Sequence, residues 1–178
     1  MLFLTTTLLL SAGLAASSPL DARDPCGEGP ARVCYGINGG TPQNLDVEDV
    51  KYVADYLRYL GANGSGSGKF WTMPKAVDCA EWTLPVQDGG SVLALAKHIS
   101  ARTLSSVLYE DLAAAIDGGV GAADGGKNEL LGCGANGGMM GVRANLTNPL
   151  YSTDAYKKSG AKPDGILIKL VKAPPSKL

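Results

Sequence analysis

The chain has 178 residues, with 16 basic and 17 acidic side chains, one histidine and a net charge of −1. That balance, with no basic stripe, argues against nucleic acid and against an anionic membrane surface as partners, since both are held by clustered Lys and Arg. The 45% hydrophobic share is enough for a globular core, while 24 glycines point to long loops around it.

Residues 1–18 read as a secretory signal. The apolar run 2–10 is too short to span a bilayer, and small residues fill the stretch from Ala12 to Ser18. Cleavage after Ala15, Ser17 or Ser18 leaves about 160 residues, enough for one domain with its own core. Nothing further along has the length and apolarity of a membrane span. The expected organisation is a polar arm over 19–30, a single α+β domain over 31–172 and a flexible tail over 173–178. The expected product is a secreted, extracellular monomer.

A short first strand is predicted over 31–37. The best helix is 45–60, where Val47, Val50, Ala54, Leu57 and Leu60 make one apolar stripe. Asp46 fits as its N-cap, Leu45 and Val50 as a hydrophobic staple, and Gly61 as its stop. Tyr52, Tyr56 and Tyr59 form a second stripe, a candidate binding surface weighed against wet tyrosines at the edge of a helix–sheet contact. The loop 63–68 carries the acceptor tripeptide Asn63-Gly64-Ser65, and Asn145-Leu146-Thr147 is another; both are glycosylation candidates in an exported chain.

From Lys69 the apolar period drops to two, predicting strands over 70–73, 79–84 and 92–99, with Trp71 and Trp82 in or near the core. A second helix is predicted over 107–116, capped by Ser105 or Ser106 and stopped at Asp117-Gly118-Gly119. The stretch 119–138 reads as a long glycine-rich loop pinned by Cys133. Strands over 139–146 and 165–171 flank a loop over 149–164. Few long crossovers are available, so the predicted fold is α+β: an antiparallel sheet of about four to six strands covered by two helices and stapled by disulfides.

The cysteines are Cys26, Cys34, Cys79 and Cys133, an even set that favours two disulfides in an oxidising compartment. Three connectivities are open. The favoured pairs are Cys26–Cys34, stapling an N-terminal loop, and Cys79–Cys133, whose closure is worth roughly 4–5 kcal/mol in the chain-entropy view. No metal site is expected, because there is no C-x-x-C and His98 stands alone.

Catalytic signatures are sparse. Gly132-Cys133-Gly134-Ala135-Asn136-Gly137 matches G-x-G-x-x-G, but a half-cystine at its centre and no helix after it remove the dinucleotide reading. His98 has Ser91, Ser100, Ser105 and Ser106 nearby in sequence, none of them in a nucleophile-elbow motif. Glu110, Asp111 and Asp117 read as solvated helix charges and a C-terminal stop rather than an acid pair. Asp124 to Glu129 lacks the spacing of a calcium loop. No catalytic residue, cofactor or metal ligand is therefore assigned.

The succession Lys69-Phe70-Trp71-Thr72, Cys79-Ala80-Glu81-Trp82, Tyr109 to Ile116 and Gly132-Cys133 resembles small secreted fungal effectors. The family it resembles is that of the necrosis-inducing extracellular effectors, with killer-toxin-like α/β sandwiches as a broader analogy. In that family a tryptophan strand precedes a cysteine strand, an acidic-started helix and a glycine–cysteine segment. The resemblance covers about 45–142. It departs at Trp82, where phenylalanine is more usual, and in a first helix without cysteine. It implies half-cystine roles for Cys79 and Cys133. It also implies a non-enzymatic virulence factor that binds a host or microbial protein or glycan. A cell-wall structural protein and an extracellular hydrolase are the alternative readings.

Overall fold

Asp46 starts the first helix as its sequence predicts, with its side chain accepting from Glu48 N at 2.9 Å. The computed structural model describes residues 27–73, 79–99 and 103–175. The predicted signal, Cys26, Ser100 and residues 176–178 lie outside them.

Helix α1 spans Val47–Asn63 and buries Val50, Val53, Ala54 and Leu57. Its first turn is tied to the loop before the central strands: Asp46 N donates to Ser91 Oγ, and Ser91 N donates to Asp49 Oδ2, both at 2.7 Å. The helix runs past Gly61 and closes at Gly64, whose N–H reaches Leu60 O at 2.9 Å. Gly61 has another use there. A Cβ at 61 would meet Tyr109 Cβ at 3.2 Å, so the missing side chain lets the second helix approach.

That second helix, α2, spans Tyr109–Asp117 and ends at Gly118 in the left-handed conformation, φ 84°. Its start differs from expectation. Ser106–Leu108 form a strand that pairs antiparallel with Phe70–Thr72, so neither Ser105 nor Ser106 caps the helix. Pairing with a distant strand has overridden a locally helical apolar spacing.

In chain order the strands are β1 (Val33–Cys34), β2 (Phe70–Thr72), β3 (Glu81–Thr83), β4 (Val92–His98), β5 (Ser106–Leu108), β6 (Gly138–Gly141) and β7 (Ile166–Lys172). Five of them make an antiparallel sheet in the order β1-β6-β7-β4-β3, and β2 with β5 makes a separate two-stranded ladder. The fold is thus α+β with an antiparallel main sheet, as the periodicities indicate. β1 and β6 are shorter than predicted. β1 ends because Asn38 Oδ1 takes the Cys34 N–H at 2.7 Å and turns the chain.

One face of the main sheet carries Val92, Ala94, Ala96, Met140, Ile168 and Leu170, which pack with the apolar stripes of α1 and α2 into a single core. Burial of such side chains at about 1.5–3 kcal/mol each is the main stabilising contribution. The opposite face carries charge: Lys97 and Lys169 alternate with Glu28 and Glu81. Lys97 bonds Glu28, while Lys169 lies 3.0 Å from Glu28 and 2.6 Å from Glu81.

Both favoured disulfides are corrected. Cys34 is bonded to Cys133, 99 residues away, which excludes Cys26–Cys34 and Cys79–Cys133 together. The physical reason is strand pairing: Cys34 lies opposite Gly138 on β1 and β6, and the turn of Leu130–Asn136 just before β6 brings Cys133 onto it. Cys79 is also disulfide-bonded, and no free cysteine remains among the described residues. No helix there is long and apolar enough to cross a membrane.

Candidate functional site

The predicted loop over 149–164 is instead a framework. Asn148 caps a 3-10 turn at Pro149–Ser152, and Thr153 caps a six-residue helix, α3, at Asp154–Ser159. Asp154 opens that helix, Lys157 and Lys158 close it, and Gly160 ends it, so caps and charges suit the helix dipole at both ends. Its length is too short for an apolar period to show.

This framework sets Tyr151 and Tyr156 against Phe70 of β2. The Phe70 and Tyr156 rings stack at 4.9 Å, and Tyr151 meets both edge-on at 5.5 and 5.1 Å. Hydrogen bonds hold the group in place. Tyr156 OH donates to Ser106 O at 2.8 Å. Tyr151 OH donates to the buried Asp111 carboxylate and accepts Leu108 N–H at 2.9 Å. Asp111 also accepts Asn145 N–H at 3.0 Å, so it is a buried anchor rather than the solvated charge its sequence suggests.

Between the β2–β5 ladder, the turn at Gly66–Lys69 and α3 lies a cleft of about 190 Å³. Phe70, Leu150 and Tyr156 give it apolar walls, and Ser67, Thr72, Ser106, Thr153 and Ser159 rim it with hydroxyls. Thr72 and Ser106, paired across the ladder, share a hydroxyl contact of 2.8 Å. Among the described residues no acidic or basic side chain lines the cleft. Burial first, then the charges of Asp164 and Asp111, push the Tyr156 phenol up to about 12, so it stays neutral.

The other candidates fall elsewhere. Tyr52, Tyr56 and Tyr59 do form a row on the outside of α1, ring centres 5.8 and 5.7 Å apart, with Tyr59 58% exposed. Tyr52 OH is tied to Gln87 O at 3.1 Å. His98 is buried at the end of β4, edge-on to Trp82 at 5.7 Å. Ser105 is fully buried, Ser106 sits in the ladder and Ser91 holds α1; among the described residues the cleft named above is not lined by His98 together with any of the three. Glu110 and Asp117 both bind Arg58, at 3.1 and 2.6 Å, and so join α2 to α1. Gly132 to Gly137 leads into strand β6, not a helix. Asp124 accepts from Gly126 N and Asn128 N, which organises its own loop. Among the described residues no group of three or more His, Cys, Asp or Glu could hold a metal ion.

Sequence reasoning missed the cleft because its walls come from three separated segments. Thr153-Asp154 before Lys157-Lys158 and Gly160 was the available signal for α3. No family profile, curated protein or solved structure matches the chain.

Proposed function

We propose that the chain is a secreted, non-enzymatic effector or toxin-like protein that acts by binding a neutral sugar unit of a host or competitor glycan in the Phe70–Tyr156 cleft. The apolar sequence of residues 1–18 and the disulfide-bonded cysteines support export. The observation that carries the binding reading is the lining itself: an aromatic floor, a hydroxyl rim and no charge among the described residues. A sugar ring presents an apolar C–H face and hydroxyl edges, and this lining matches both. At about 190 Å³ the cleft is smaller than the roughly 300–1,000 Å³ of drug-sized pockets, so it takes one ring rather than an extended chain.

The test applies purified protein to host tissue or to competitor cells, next to two variants. Ala155→Trp fills the cleft from an exposed position on its rim and abolishes the response. Tyr59→Ser, on the far tyrosine row, leaves it intact. A response that survives Ala155→Trp, or is lost only with Tyr59→Ser, moves the site away from the cleft.

A further inference from the structure

The two acceptor tripeptides occupy opposite local environments. Asn63 ends α1, and its Nδ2 donates to Tyr59 O at 2.8 Å, four residues back along the helix. That nitrogen is the atom a glycosyl transfer must use. Beside it the chain folds back tightly: a Cβ on Gly64 would meet Gly68 O at 2.2 Å.

Asn145 follows β6 in an exposed loop. Its Oδ1 accepts from Thr147 N at 3.2 Å and from Thr147 Oγ1 at 2.6 Å, closing an Asx turn that leaves Nδ2 outside its hydrogen bonds. Two donors on Oδ1 draw electron density from the amide and loosen the Nδ2 protons. The loop is pinned at Asn145 N to Asp111 and closed by Asn148 N to Asn145 O at 2.9 Å, while Leu146 between them is 64% exposed. Both arrangements are local, one within a helical turn and one within three residues, so a nascent chain can form them before the sheet assembles.

We infer that Asn145 is an N-glycosylation site and that Asn63 is not, an inference that rests on the export reading above. In the transfer, Asn145 Nδ2 bonds to C1 of a sugar carried on a lipid diphosphate. The C1–O bond breaks, the lipid diphosphate leaves with the electron pair, and one Nδ2 proton passes to a base of the transferase. Thr147 is the positioning residue. Leu146 walls a groove of about 380 Å³ shared with Tyr156, Lys157, Lys162 and Pro163, which gives the inner sugars a seat of mixed apolar and basic side chains next to their root.

The experiment expresses the full chain in a eukaryotic secreting cell and maps peptides after enzymatic deglycosylation in isotope-labelled water, which marks each formerly glycosylated asparagine. The expected result is a mark on Asn145 and none on Asn63. Thr147→Ala removes the glycan-borne mass completely, Thr147→Ser keeps it, and Ser65→Ala changes nothing. A mark on Asn63 equal to or above that on Asn145 overturns the inference. So does a secreted chain with no glycan, which leaves the export reading standing. An unmodified chain retained in the cell overturns both.

Discussion

Arg58 and Asp117 join α1 to α2 through two parallel hydrogen bonds, Nη1 to Oδ2 and Nη2 to Oδ1, each 2.6 Å long. Arg58 Nε adds Glu110 at 3.1 Å, and Asp117 Oδ1 also accepts Gly119 N–H at 2.9 Å, so the clamp continues into the turn that ends α2. Both side chains are largely shielded, 17% and 19% exposed, which lifts the pair above an ordinary surface ion pair. A lysine cannot reproduce the fork. Arg58→Lys is expected to cost about 1–3 kcal/mol in urea unfolding. A change within a few tenths of a kcal/mol would show that the pair is surface decoration.

The Cys34–Cys133 bond closes a loop of 99 residues, worth about 4–5 kcal/mol in the chain-entropy view. Replacing both cysteines by alanine is expected to lower stability on that scale while the far-ultraviolet circular dichroism stays native, because the core of α1, α2 and the sheet does not depend on it. Non-reducing peptide mapping should recover Cys34 joined to Cys133. Recovery of Cys79 with Cys133 contradicts the strand register as well as the bond.

Glu28 gives the fold an acid-side dependence. Burial acts to raise its carboxyl pKa, but hydrogen bonds and charge from Lys97 and Lys169 outweigh burial and hold it below 4.5. The unfolded chain therefore takes up the proton first. The contribution of Glu28 is complete above the unfolded value and is lost as pH falls through the folded one. Lys169 runs the other way. Burial opposes its charge, yet hydrogen bonds to Glu81 and Glu28 raise it above 10.5, so its contribution is complete below that value and lost as pH rises through the folded one. Urea midpoints from neutral to strongly acidic pH should show the gap between wild type and Glu28→Gln closing as the solution becomes acidic.

Tyr151→Phe tests the support beneath the cleft. The change leaves Leu108 N–H and Asp111 Oδ2 without the hydroxyl that serves both, while the ring packing against Phe70 stays. The expected loss is about 1–3 kcal/mol, the cost of stranding buried polar groups. In a double-mutant cycle with Asp111→Asn the two losses should fall well short of additive.

What was legible in the sequence follows from length and periodicity. α1 shows itself because its buried residues repeat at helical spacing over 17 residues behind a capping aspartate. β4 and β7 show as mostly apolar segments that become seven-residue strands, and they pair with each other inside the sheet. β5 was misread because Val107 and Leu108 continue the helical spacing of α2, and only their partners Trp71 and Phe70 make them a strand. The disulfide partner of Cys34 was hidden because it depends on β1 lying beside β6, a neighbour relation between the chain's first strand and its sixth. The cleft combines both difficulties: a helix of six residues and a ladder of three-residue strands, neither carrying a period of its own.

The central claim, a neutral sugar held in the cleft walled by Phe70 and Tyr156, is tested most directly by amide chemical-shift mapping while neutral and anionic oligosaccharides are titrated in. The account predicts shifts confined to Gly66, Ser67, Phe70, Thr72, Ser106 and α3 with a neutral sugar, flat with pH across the neutral range because no described lining group titrates there. Shifts centred on the Tyr52–Tyr56–Tyr59 row, or binding only of anionic sugars that fades with added salt, would contradict it.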